Sequence, residues 1–374
     1  MIYLDHNATT PIDERVKEAI CESLHLFGNP SSGHIEGKKA REVIEQARES
    51  VASLIGASTD EVFFTSCGTE SNNLAILGYL KGYTKGHIIS SQIEHPSVLK
   101  ALRHAESLGF DVTLIPPEGT GSVDPDAVLK AMKRDTLLVT LMHANNETGV
   151  IQPVVELGRL LKERGITFHV DAAQSIGKVD VKVSELNADL LTVAPHKFYA
   201  PKGVGALYIR KGTQIAPILY GGGQERGLRP GTENTHLIAG LGRAADIIRD
   251  ELPQIREHLL EVTERLYTEL ISKIDGIEVN GVGEKIPNTM NLSIKGVTGR
   301  ALVSSLAHSV AFSAGSACHE GKDTPSEVLI SMGLSRERAV SAVRISTGRK
   351  TTIADVITSS ELIARETRRL RETV

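Results

Sequence analysis

Seven short runs rich in β-branched, leucine and aromatic residues recur from Glu61 onward: "EVFFT", "HIISS", "DVTLI", "TLLVTLM", "ITFHVDA", "LLTVA" and "ALYIR". Helical patterns alternate with them, and that alternation is the signature of a mostly parallel sheet with helices on its faces. The fold class is therefore α/β. Arg41 to Ile55 places Val43, Ile44, Ala47, Val51, Leu54 and Ile55 at helical spacing, which predicts an amphipathic helix lying on that sheet.

From Asp250 a long helix is expected, with Leu259, Val262, Leu266, Leu270 and Ile274 on one face. Beyond it, "IEVNG", "TMNLSI", "VAFSAG" and "AVRIST" alternate with further helices and predict a smaller α+β unit. The expected division is a large domain over 15–249 and a small domain made of 1–14 and 250–374. A chain of 374 residues is long enough for both.

Charge narrows the partners. The 42 basic and 46 acidic side chains leave a net charge of −4, which gives no reason to expect a nucleic acid or an anionic membrane, so a small molecule or a protein is expected instead. The start, "MIYLDHNATTP", lacks a basic segment followed by an apolar one, and no apolar run reaches the length of a membrane span. A cytoplasmic protein is expected. Cys21, Cys67 and Cys318 are too few and too widely spaced for a disulfide framework or a paired-cysteine zinc site, so no metal is expected and any cysteine chemistry belongs to a single thiol.

In open parallel sheets, ligands collect beyond the carboxyl ends of the strands. After "EVFFT" comes Ser66-Cys67-Gly68-Thr69-Glu70-Ser71, a turn that can cradle a phosphate at a helix start or simply cap that helix. Asp171 and Gln174 follow "FHV". His196 and Lys197 follow "LLTVA", and Lys197 is either a reactive amine or the salt-bridge partner of Asp171. His95 follows another strand, either as a helix-start residue or as an imidazole stacked on an aromatic ring. Arg226, Arg229 and Thr232 sit in the Gly-rich "GGGQERGLRPGTEN", as a solvated turn or as anion contacts. Together these strand ends supply an anion cradle, a carboxylate, an amine and an imidazole, the set that pyridoxal phosphate requires. Cys318 lies in "SAGSACHEGKDTP", a poor strand and a poor helix interior.

Nine motifs occur in order between Tyr3 and Thr352: "YLDHNATTP", "FTSCGTESNN", "IEHPSV", "NNETGVIQP", "HVDAAQSIGK", "HKFYAPKGVGALYI", "GGGQERGLRPGTEN", "GSAC" and "VRISTGRKTT". In combination they resemble the NifS/IscS-type cysteine desulfurases, class V of the fold-type I pyridoxal phosphate enzymes. The resemblance implies a fold-type I transferase with a seven-stranded, mostly parallel sheet.

It also implies roles. Lys197 would bond the cofactor covalently and Cys318 would be the nucleophile that takes up sulfur. Asp171 would pair with the ring nitrogen, Gln174 with the ring hydroxyl, and His95 would stack on the ring as a further catalytic group. Gly68, Thr69 and His196 would hold the phosphate, with Thr232 reaching in from the second subunit of a homodimer. Ala194 falls in the same shell, where the family usually has a serine. Asn146 would lie beside the ring and the substrate, and Arg344 would clamp the substrate carboxylate, a task suited to a planar bidentate donor.

The implied reaction removes sulfur from L-cysteine, giving L-alanine and a persulfide on Cys318, for an acceptor such as an iron–sulfur scaffold or a tRNA-thiolation protein. The Cys318-His319 step also resembles selenocysteine lyases, which is the alternative activity. A third reading is a metal-binding scaffold using Cys318, His319 and Glu320, although adjacent residues are awkward ligands for one ion. Cys21 and Cys67 are expected to pack rather than react.

Overall fold

The computed structural model describes residues 1–314 and 324–372. A short strand β1 (Ile2–Tyr3) precedes helices α1 (Glu14–Ser23) and α2 (Ile35–Ile55). The seven expected runs form β2 (Val62–Thr65), β3 (His87–Ser91), β4 (Asp111–Ile115), β5 (Thr136–Met142), β6 (Thr167–Asp171), β7 (Leu190–Val193) and β8 (Gly205–Ile209). Helix α3 (Gly68–Asn73) follows β2, and α4 (Pro96–Ser107), α5 (Pro125–Ala131), α6 (Val154–Lys162) and α7 (Val183–Leu186) make the successive crossovers from β3 to β7.

These strands build one sheet in the order β2-β8-β7-β6-β5-β3-β4, in which β8 alone runs antiparallel to its neighbours. Strands β2, β3, β7 and β8 are buried along their whole length, as strands covered on both faces must be. Their side chains alternate between two apolar layers. Val62, Phe64, Ile89, Val139, Leu191, Ala206 and Tyr208 enter one core; Phe63, Ile88, Leu138, Leu190 and Leu207 enter the other.

Helix α2 begins at Ile35, earlier than periodicity suggests, because the His34 imidazole accepts from the Gly37 amide and caps it. Helix α8 (Thr235–Lys273) is 39 residues long and starts fifteen positions before the expected Asp250. Two glycines obscure its first half in the sequence. Both are packing requirements: a Cβ on Gly242 would lie 2.6 Å from Cα of Ala47, and one on Gly240 would lie 2.8 Å from the Ile20 side chain.

The second half of α8 carries Val262, Leu266 and Leu270 into a separate core with Leu4, Leu292, Leu302, Ile345 and Ile363. That core is covered by β9 (Ile277–Val279), β10 (Thr289–Ile294), α9 (Gly299–Leu306), β11 (Val310–Ala311), β12 (Ser313–Ala314), β13 (Ala342–Ser346) and α12 (Ile353–Glu372), whereas α10 (Glu327–Ser331) and α11 (Arg336–Val340) send Val328, Leu329 and Ala339 into the large-sheet core. The run "VAFSAG" is two strands rather than one: β11 pairs with β1, and β12 joins the antiparallel sheet β12-β13-β10-β9. We propose the boundaries 15–249 and 1–14 with 250–374 on the strength of this second core.

Candidate active site

The chain reverses its direction of travel across the sheet between β3 and β5, so a crevice opens beyond the carboxyl ends of β3, β5, β6 and β7. Asp171 ends β6 and is 5% exposed. Its carboxylate accepts from Asn72 Nδ2 at 2.8 Å and from the Ala173 amide at 2.9 Å, and among the described residues no cation pairs with it. A buried carboxylate so placed needs a further N–H donor.

Lys197 closes the short turn after β7. It is not the salt-bridge partner of Asp171. Its Nζ donates instead to the carbonyl oxygens of Asn7 at 2.6 Å and Ala8 at 2.7 Å. Burial, then the Arg344 guanidinium, bring its pKa down to about 8, against the opposing influence of Asp171 and Asp5. The neighbouring His196 accepts or donates at Thr9 Oγ1 across 3.1 Å, and burial, with Lys197, Lys202 and His95 adding to it, holds its pKa near 4, so it is neutral at pH 7.

Gln174 donates from Nε2 to the Asn7 carbonyl at 2.9 Å and accepts from Lys178 Nζ at 2.7 Å. Asn146 offers its carbonyl to Arg344 at 3.0 Å and to Asn7 Nδ2 at 3.3 Å. Arg344, on β13, is 9% exposed; it pairs with Asp5 at 2.7 Å and donates to Ser313 Oγ at 3.2 Å, while its Nε is buried without a partner among the described residues. Strand β12, the last described before Cys318, is paired so that its Ser313 is in register with Arg344. Cys318, His319 and Glu320 lie outside the described residues.

Gly68 and Thr69 open α3, with Cys67, partly buried, at its N-cap. A Cβ on Gly68 would stand 3.0 Å from that of Ala194, so these two small residues keep the turn close to the end of β7. A cleft of about 430 Å³ between α3 and α4 is lined by Thr69, Asn73, His95, Ser97, Lys100 and His104. His95 caps α4, its Nδ1 accepting from the Ser97 amide at 3.1 Å. Loss of hydration lowers its pKa, and Asp171 opposes while Lys197 adds to the effect.

Thr232 is exposed, and among the described residues nothing connects it to the Lys197 cluster within one chain. Its loop is anchored nevertheless. Glu225, 7% exposed, accepts from the Arg48 guanidinium through both oxygens at 2.8 Å and from the Phe64 amide at 2.8 Å. Arg226 and Arg229 are committed within the chain, Arg226 to the Thr59 and Asp60 carbonyls and Arg229 to Glu70 at 3.0 Å. Cys21 is exposed on α1, so it does not pack as expected. Asn7, Asn72, Asp5 and Lys178 are the site residues that sequence reasoning passed over. All four stood inside quoted motifs, Asp5 and Asn7 in "YLDHNATTP", Asn72 in "FTSCGTESNN", and Lys178 four positions after Gln174 in "HVDAAQSIGK".

The aminotransferase class-V family profile matches residues 2–358. The chain is 44% identical to the cysteine desulfurase IscS of Dictyoglomus turgidum over 99% of its own length and 95% of that protein. Among solved structures, a NifS-like protein superimposes with a TM-score of 0.91 at 35% identity, covering 100% of both chains. A structure described as SspA in complex with cysteine reaches 0.82 at 37% identity, covering 94% of this chain and 100% of that one.

Proposed function

The chain belongs to the aminotransferase class-V family, and from that premise we propose that it is a pyridoxal-phosphate-dependent cysteine desulfurase. One observation carries the reading: a relative named for that activity matches along the whole chain; Asp171 at the end of β6, Gln174 just after it, Lys197 after β7 and Arg344 within β13 support it. The residues fit the cofactor. Asp171 is a buried carboxylate lacking a cationic partner among the described residues, Gly68 and Ala194 leave a small-residue cradle at a helix start, and Lys197 is an amine shifted toward neutrality.

When bound, pyridoxal phosphate stabilises negative charge at the substrate α-carbon. The chain's own residues supply the rest. Arg344, held in place by its pair with Asp5, binds the substrate carboxylate. Free Lys197 accepts the α-proton, and a pKa of about 8 leaves roughly a quarter of it neutral at pH 7.5, against about a thousandth for an ordinary lysine. The Cys318 thiolate then attacks the substrate sulfur. The new S–S bond forms as the Cβ–S bond breaks, its electron pair passing to the carbon skeleton, which is protonated and leaves as alanine.

The remaining proposals follow from the same resemblance: a cytoplasmic homodimer in which Thr232 of one chain meets the phosphate held by Gly68, Thr69 and His196 of the other, His95 against the ring, Asn146 beside the substrate, and an acceptor such as an iron–sulfur scaffold protein. Nothing among the described residues favours selenocysteine, since His319 lies outside them. The test is mass analysis of Cys318 after incubation with L-cysteine. A gain of one sulfur on that residue with release of alanine is expected; alanine release with Cys318 unmodified would refute its assignment.

A further inference from the structure

Lys178 has no part in the chemistry above, yet it is 4% exposed and its Nζ donates to Gln174 Oε1 at 2.7 Å and to Asn7 Oδ1 at 3.0 Å. Among the described residues no carboxylate pairs with it. Burial, with Lys197 and Arg344 nearby, holds its ammonium well below the usual lysine range. Both of its donations go to the carbonyl ends of side-chain amides.

That commitment orients both amides. Because the oxygen of Gln174 faces Lys178, its nitrogen must face the crevice; one Nε2 hydrogen goes to the Asn7 carbonyl at 2.9 Å and the other is left over. Asn7 is held the same way. Its Oδ1 receives Lys178 and, at 3.2 Å, Asn288, so its Nδ2 turns to Thr289 Oγ1 at 2.8 Å, and its backbone carbonyl is left to accept Lys197 at 2.6 Å.

We propose that Lys178 is a positioning residue that locks Gln174 with its N–H end toward the ring oxygen of the cofactor, so that the chain donates to that oxygen and stabilises its anionic form. The inference rests on the proposed cofactor and on Gln174 meeting its ring. The charged and titratable groups acting on Lys178 are Lys197 after β7 and Arg344 on β13, while His6 of the N-terminal segment feels Lys178 in turn; Asp5, Asp171, His95 and His196 couple to Lys197 instead. None of them is changed by the substitution below.

The experiment is a pH titration of the visible absorption of the cofactor-loaded protein. Wild type that binds no pyridoxal phosphate and shows no visible band would refute the cofactor reading itself, independently of Lys178. In Lys178→Met, nearly isosteric but without a donor, the Gln174 amide is free to turn and the ring oxygen loses its N–H. A more concentrated negative charge there holds the neighbouring proton more firmly, so the midpoint is expected to rise by about one pH unit. Gln174→Leu should give the same shift, and the double variant no more than either alone. A Lys178→Met midpoint equal to wild type, or shifts that add, would overturn the proposal. Should Lys178→Met fail to fold, Lys178→Leu, likewise without a donor, is expected to move the midpoint the same way, and an unmoved midpoint there is equally fatal.

Discussion

Replacing Lys197 with methionine in the cofactor-free chain should stabilise it at neutral pH and lose that advantage as pH rises. Burial and the Arg344 guanidinium lower the Lys197 pKa from 10.5 to about 8, so the folded chain binds fewer protons there than the unfolded chain between those values. Below pH 8 the lysine therefore destabilises the fold by about 3 kcal/mol, and the penalty fades as pH climbs toward 10.5. Methionine removes the penalty but forfeits the donations to the Asn7 and Ala8 carbonyls, together worth about 1–2 kcal/mol. The net gain at pH 7 is about 1–2 kcal/mol, which is about 2 °C in Tm at the unfolding entropy typical of a chain this long. Between pH 7 and 9.5 the difference from wild type should fall by about 2 kcal/mol. Thermal melts of both proteins across that range check it. A difference that is flat with pH, or a methionine variant already less stable at pH 7, would refute the claim that a destabilised amine is built into this site.

Arg344→Lys should lower kcat/KM roughly 10- to 100-fold, chiefly through KM, because an ammonium cannot keep the Asp5 pair and the Asn146 contact while also presenting a planar edge to a carboxylate; steady-state rates with L-cysteine measure this. Arg48→Met strands Glu225, which is 7% exposed, without its cation and should cost about 3–5 kcal/mol, a fall of about 4–6 °C in Tm.

The large sheet was readable because each of its strands is a short apolar run bounded by turns, and the readout of β2 or β7 needs no knowledge of distant residues. The start of α8 was not, because Gly240 and Gly242 look like helix breakers until Ile20 and Ala47 are seen pressed against them. The same division holds in the site. Asp171, Lys197 and His95 announce themselves by ending strands. Asn7 does not, because its value lies in contacts with Lys197 and Lys178, 190 and 171 positions away, which only the folded chain brings together.

Those long-range contacts explain a feature that no single residue does. Lys178, Lys197 and Arg344 converge on the crevice, and each depresses the protonation of a neighbour: Arg344 acts on both lysines, and Lys197 on Lys178. Among the described residues Asp5 and Asp171 oppose the shift of Lys197 and Glu147 lies near Arg344, but Asp5 is already paired with Arg344 and burial raises the Glu147 carboxyl to about 7. The crevice therefore holds unspent positive potential in a poorly hydrated place, where an anion is worth more than at the surface. A phosphorylated cofactor and an amino-acid carboxylate are the ligands that relieve it. Binding them should return the stability that the amines withhold from the empty fold, so ligand affinity and the weakness of the unliganded site have one physical origin.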